Sequence, residues 1–182
     1  MSLNGDVTNR SAGAAEQAVP PPSRRAVLAG WVAALAATVG FMPLHVAWAA
    51  GIPLFADRER FEVWHADGGG TYLWTLNALA LLPAVLAFAL IRPWGLVLPR
   101  WVPGLAGRRV PRLLLIVPGY GLVVALSAYT VFALVLTFVQ WGAPEAIFSP
   151  WTGVYGIPHF IVWVVALAVA THSYSRRTRA LR

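Results

Sequence analysis

The chain has 182 residues, of which 58% are hydrophobic and 12% carry a charge. Soluble domains carry about 25% charged residues, so this composition excludes a soluble globular enzyme and a disordered tail protein. The chain has no cysteine, which also excludes a disulfide scaffold and a thiolate metal site. The net charge of +7 comes from arginines that lie between apolar runs. That pattern is typical of membrane orientation, and we expect no nucleic-acid partner.

The first apolar run covers residues 26–50 and contains no charged side chain. As a helix it is about 37 Å long, enough to cross a hydrocarbon core of about 30 Å. Residues 1–25 before it are mostly polar or small and predict a disordered cytoplasmic tail. Pro43 predicts a kink or an early end of the helix. One alternative stays open, because Arg24-Arg25 resembles a twin-arginine export signal with a small-residue cleavage motif at residues 47–49.

Three further uncharged runs are long enough to cross a membrane, at residues 72–91, 113–139 and 154–171. The last of these is the shortest. Together the four runs predict an all-α, polytopic membrane protein with a four-transmembrane-helix bundle. The expected transmembrane domain covers residues 26–175, and a basic cytoplasmic tail covers residues 176–182.

The arginines predict the orientation of this bundle. Residues 92–112 contain five arginines and no acid, whereas four acids outnumber two arginines in residues 51–71. Because positively charged loops stay in the cytoplasm, we expect both chain ends to be cytoplasmic. The expected location is the inner (plasma) membrane, crossed several times, with the lipid bilayer as a partner.

Three polar side chains are expected at one depth within the apolar runs. His45, Asn77 and His159 each lie five residues from the expected outer end of a different run, about 7–8 Å below the boundary. Polar groups at that depth prefer the bundle interior. We therefore predict a ligand-binding layer of these three residues, with Trp48 and Trp74 beside it. The alternative is purely structural: a histidine that reaches the headgroups, a helix-capping group and an interhelical hydrogen bond.

A second group of polar residues lies in the loop above this layer. Glu62 and His65 are three positions apart, so on a helical turn they share a face, and Asp67 follows closely. A carboxylate and an imidazole can serve as general acid and base. If the protein is an enzyme, these three residues are the candidate catalytic groups. Otherwise the loop is a solvated outer surface with paired charges.

Several stretches resemble short four-helix membrane proteins of actinobacteria that form a family of unknown function. The matching stretches are residues 44–48, 91–95, 98–101 and 155–163. The resemblance implies a small multi-helix membrane protein. It implies no established activity, so it assigns no catalytic residue.

The sequence thus favours a small integral membrane protein that binds an amphipathic ligand or a membrane protein partner. The alternative is a membrane-embedded enzyme that acts on a lipophilic substrate, such as a terpenoid-type cyclase or isomerase, since 22 aromatic residues can stabilise a cation. We expect no cofactor and no metal site. Two histidines without a spaced motif leave axial haem or copper ligation as a weaker alternative.

Overall fold

The computed structural model describes residues 19–179, so residues 1–18 of the expected tail and residues 180–182 lie outside it. The helices are α1 (Arg24–Leu35), α2 (Met42–Ala49), α3 (Arg58–Trp64), α4 (Gly70–Ile91), α5 (Arg112–Val139) and α6 (Pro150–Arg177). Four segments are long and apolar enough to cross a membrane: Arg24–Ala49, Arg58–Ile91, Arg112–Val139 and Pro150–Arg177. Between residues 19 and 179 there is no β-strand, only two isolated bridges. The all-α, four-helix membrane fold is therefore confirmed.

The first span is interrupted by a π-helical segment, Ala36–Gly40, which separates α1 from α2. Pro43 explains the place of the interruption. Proline donates no backbone hydrogen bond, and its ring displaces the carbonyl four residues earlier, at Val39. The helix does not end there, because α2 continues to Ala49.

The loop after α2 contains a short helix that sequence analysis did not delimit. Asp57 caps α3, accepting a hydrogen bond from the Arg60 backbone N–H at 3.1 Å. Phe61 on this helix is fully buried. The chain bends between α3 and α4 at Gly68, whose φ of +103° suits glycine. The helix α3 is therefore separated from α4 by this bend.

The helices α5 and α6 pair through small residues at two places. A Cβ atom at Gly119 on α5 would lie 2.7 Å from Thr171 Cγ2 on α6, and one at Gly153 on α6 would lie 2.2 Å from Thr137 Oγ1 on α5. Such glycines let two helix backbones approach closely in a membrane. The outward face of α5 consists of large exposed apolar side chains, as expected for a surface that faces lipid.

The fourth membrane-spanning helix, α6, is longer than the predicted run of residues 154–171. It starts at Pro150 because Ser149 accepts a hydrogen bond from the Trp151 N–H, and proline is favoured in the first turn. It continues to Arg177, and the basic residues of its last turn suit the negative end of the helix dipole. The predicted tail at residues 176–182 therefore begins inside a helix.

The core lies among α1, α4 and α6 and contains many alanines. Ala33, Ala37, Ala87 and Leu167 have no exposed surface, and small side chains allow these helices to pack closely. A second apolar cluster lies at the end of the bundle that carries α3, and it includes Trp48, Phe61 and Leu73.

Two loops are joined at that same end. The Asp57 N–H donates to the Ile147 carbonyl at 2.9 Å, and the Ser149 N–H donates to the Phe55 carbonyl at 2.8 Å. The Arg60 guanidinium also donates to the Pro144 carbonyl. These contacts hold the loop before α3 against the loop before α6, and thereby fix the mouth of the cavity described next.

Candidate ligand-binding cavity

A cavity of about 310 Å³ lies at the end of the bundle where α2, α4, α5 and α6 meet the joined loops. Both His45 on α2 and His159 on α6 line it. The equal depth predicted for these two histidines therefore corresponds to one shared site. The volume lies at the lower end of the usual range for small-molecule sites.

The lining of the cavity is strongly aromatic and carries no formal charge. No Asp, Glu or Arg is among the lining residues. Its nine Phe, Trp and Tyr residues are Phe41, Trp48, Trp64, Tyr72, Tyr129, Phe132, Phe148, Tyr155 and Phe160. Such walls favour an apolar molecule with little net charge, since an ion would lose its hydration without a partner.

His45 is held in a defined orientation by its own helix turn. Its Nδ1 lies 2.8 Å from the Phe41 carbonyl oxygen, and its ring stacks on Phe41 with centroids 3.7 Å apart. A carbonyl only accepts, so Nδ1 carries the proton and donates. In the neutral imidazole, Nε2 is then a hydrogen-bond acceptor. Among residues 19–179, no side chain or backbone group bonds to this nitrogen, and it keeps accessible surface.

His159 has a different environment, because its ring packs into the π segment of the first span. A Cβ atom at Gly40 would lie 2.3 Å from His159 Cε1, so the glycine makes room for the ring. One turn earlier on α6, the Tyr155 hydroxyl donates to the Gly40 carbonyl at 2.8 Å. The His159 Nε2 is buried without a hydrogen-bond partner in the described part of the chain. His159 therefore lines the cavity while its Nε2 is enclosed by protein.

Of the other predicted binding residues, only Trp48 lines the cavity. Its Nε1 donates to the Leu54 carbonyl at 2.7 Å, and its ring lies 5.2 Å from that of His45. Asn77 is buried, but its Nδ2 donates to the Leu73 carbonyl at 2.9 Å and it is absent from the lining. Trp74 is 52% exposed and also lies outside the cavity.

The three candidate catalytic residues do not line the cavity either. Glu62 and Asp67 are exposed. His65 is half-buried, and its Nε2 donates to the Ala49 carbonyl at 3.1 Å. This bond satisfies a free carbonyl at the end of α2. The shared face expected for Glu62 and His65 therefore does not bring a carboxylate to the two histidines.

The metal alternative would depend on the two cavity histidines alone. Residues 19–179 contain no group of three or more His, Cys, Asp or Glu side chains placed to hold a metal ion. The two cavity histidines are thus the whole set of such side chains at this site.

The site residues predicted from the sequence do not include Phe41, Tyr129, Tyr155 or Gly40, although a signal for two of them is present. Each cavity histidine has an aromatic residue four positions earlier, Phe41 before His45 and Tyr155 before His159. That spacing places both rings on one helix face. The role of Gly40 depends on contacts with the neighbouring helix α6, so it cannot be predicted from the residues around Gly40 in the chain.

No family model, curated protein or solved structure was found to match the chain. The resemblance to four-helix actinobacterial proteins therefore stays a prediction.

Proposed function

We propose that the protein binds a neutral amphipathic molecule, with an apolar body and a hydroxyl group, within the plasma membrane. The observation that carries this proposal is the uncharged aromatic cavity with the accessible Nε2 of His45 in its wall. The apolar body would lie among the aromatic rings. The hydroxyl would donate to His45 Nε2, because that nitrogen accepts and does not donate.

The orientation proposed from the arginines places the cavity near the outer surface of the membrane. The five carboxylates of the described residues all lie in the two loops at the cavity end, and ten arginines lie at the other end. Basic segments remain in the cytoplasm. A ligand would therefore enter from the outer leaflet or from the exterior.

Binding is favoured over acid–base catalysis by the position of the carboxylates. The alternative of a cyclase or isomerase needs a proton donor at the substrate, and Glu62 and Asp67 are exposed outside the cavity. The aromatic walls suit a cationic intermediate, but they suit a bound apolar molecule equally well. A membrane protein partner has no comparable observation in its favour.

The proposal is tested with 2-naphthol, which has a neutral aromatic body and one hydroxyl donor. Its matched analogue, 2-methoxynaphthalene, has nearly the same body and no donor. Equilibrium dialysis against nanodiscs with and without protein separates specific binding from partition into lipid. We expect 2-naphthol to bind about fivefold more tightly than the analogue, the value of one hydrogen bond. The His45→Phe variant should lose that preference.

Two glycine variants provide the control for the site itself. A Cβ atom at Gly156 on α6 or at Gly121 on α5 meets no other group within 4 Å, but only Gly156 lines the cavity. Gly156→Phe should fill the cavity and abolish protein-dependent binding, whereas Gly121→Phe should keep it. Equal binding by both variants, or by protein-free nanodiscs, would overturn the proposal.

A further inference from the structure

A broad, open groove of about 980 Å³ lies at the opposite end of the bundle. Its walls are the start of α1, the last turns of α6 and the Tyr120 side chain on α5. Arg25, Arg176 and Arg177 all line it. The groove therefore gathers three guanidinium groups from two helices at one membrane–water boundary.

The described residues provide no negative charge to balance these arginines. No carboxylate lines the groove, and the acids between residues 19 and 179 lie in the loops at the other end of the bundle. Arg25 and Arg176 are exposed. Arg177 is half-buried, donates to the Leu90 carbonyl and lies over the Tyr174 ring. One arginine is thus fixed in place and two extend from the surface beside it.

The same groove has an apolar wall next to its basic part. Ala168 and Val169 on α6 line it, and Val169 is 42% exposed. These residues lie about two turns from Arg176 toward the centre of the apolar span. A ligand with a negatively charged head and an apolar chain matches both parts of this surface. A soluble anion would use only the basic part.

We propose that this groove binds the headgroup of an anionic phospholipid. The phosphate would lie between Arg25 and Arg176, and an acyl chain would lie along Ala168 and Val169. Guanidinium groups form paired hydrogen bonds with phosphate oxygens. Basic pockets between transmembrane helices commonly recognise anionic headgroups. The groove is separate from the aromatic cavity, so this inference does not depend on the proposed ligand there.

The test compares lipid retention by native mass spectrometry of the full chain released from nanodiscs. The nanodiscs contain equal amounts of phosphatidylglycerol, which is anionic, and phosphatidylcholine, which has no net charge. The wild-type protein should retain phosphatidylglycerol preferentially. In the Arg25→Gln/Arg176→Gln variant this preference should fall by about fivefold for each arginine removed.

Two neighbouring arginines make a matched control. Arg24 and Arg179 are exposed and close in sequence to the tested pair, but they do not line the groove. The Arg24→Gln/Arg179→Gln variant should retain the wild-type preference. An equal loss in both double variants would mean a general charge effect and would overturn the site.

A further experiment distinguishes the binding of a lipid from the binding of a free anion. Inorganic phosphate at millimolar concentration should leave the retained phosphatidylglycerol in place, because it lacks the acyl chain that contacts Val169. Displacement by phosphate, or equal retention of both lipids by the wild type, would overturn the lipid assignment. Unchanged 2-naphthol binding by the Arg25→Gln/Arg176→Gln variant would show that the two sites are independent and that the fold is intact.

Discussion

At the scale of single residues, Gly40 determines how α6 meets the first span. Its missing side chain leaves room for the His159 ring, and its carbonyl accepts the Tyr155 hydroxyl. Two side chains one turn apart on α6 therefore depend on one position of the π segment. Because Phe41 follows immediately and stacks on His45, the same position also supports the wall of the cavity.

We expect Gly40→Ala to destabilise the protein by about 1–3 kcal/mol, the usual effect of overpacking. The added methyl group would lie 2.3 Å from His159 Cε1, so His159→Ala in the same chain should recover much of the loss. The measurement is reversible unfolding in detergent. Gly156→Ala is the control, since open space surrounds that position and alanine favours a helix. Equal stability of Gly40→Ala and Gly156→Ala would contradict the packing described for His159.

At the scale of elements, the π segment sets the rotation of α2 relative to α1. A π-helical turn holds one more residue than an α-helical turn, and such turns occur frequently at functional sites. Ala33 and Ala37 before and within it face the core, while His45 and Trp48 after it face the cavity. One membrane span therefore contributes side chains to the core in its first half and to the cavity in its second half.

Pro43→Ala restores the missing backbone donor and should let this segment become a regular α-helix with the same residue count, which rotates α2 by about 100°. Pro43 is exposed, so its replacement leaves the core side chains in place. His45 and Trp48 would then leave the cavity wall, and we expect 2-naphthol binding to be lost while the protein still elutes as a single species. Deletion of Val39, which is 68% exposed, removes the extra residue of the π turn, so the Pro43→Ala chain without Val39 should recover both the rotation of α2 and binding. Normal binding by Pro43→Ala alone would show that the π segment does not position the site.

The features of the fold that can be predicted from sequence are those that depend only on neighbouring residues in the chain. Four spans follow from run length and hydropathy, which need no knowledge of neighbours. The depth of His45 and His159 follows from the helical rise alone. The rotation of each helix about its own axis cannot be predicted in this way, because the spans are apolar on all sides and carry no amphipathic signal. Asn77 has the expected depth, but it bonds to the Leu73 carbonyl and lies outside the cavity.

The loop before α4 shows a second limit of local reasoning. The spacing of Glu62 and His65 predicted a shared helical face, but α3 is positioned by the burial of Phe61 against the second apolar cluster. That burial leaves Glu62 exposed and directs His65 toward the end of α2. The positions of Glu62 and His65 therefore depend on tertiary packing, which cannot be predicted from the pattern of charges in the sequence.

At the scale of the whole molecule, the bundle has two ends with different chemistry. One end has the joined acidic loops and the uncharged aromatic cavity, and the other has the arginines and the basic groove. The core of α1, α4 and α6 lies between them, while α5 covers one side with few buried residues of its own. This arrangement fits a protein that presents a ligand site on one side of a membrane and contacts charged headgroups on the other.

Photolabelling tests the central claim most directly, because it reports where a lipophilic hydroxyl compound lies in the bundle. The probe is a neutral aliphatic alcohol that carries a diazirine, and the labelled peptides are mapped by mass spectrometry. We expect adducts on α2 and on the part of α5 around Tyr129 and Thr137. These adducts should disappear in Gly156→Phe and persist in Gly121→Phe. Labelling spread along the exposed face of α5, or unchanged in Gly156→Phe, would contradict a ligand-binding cavity at this site.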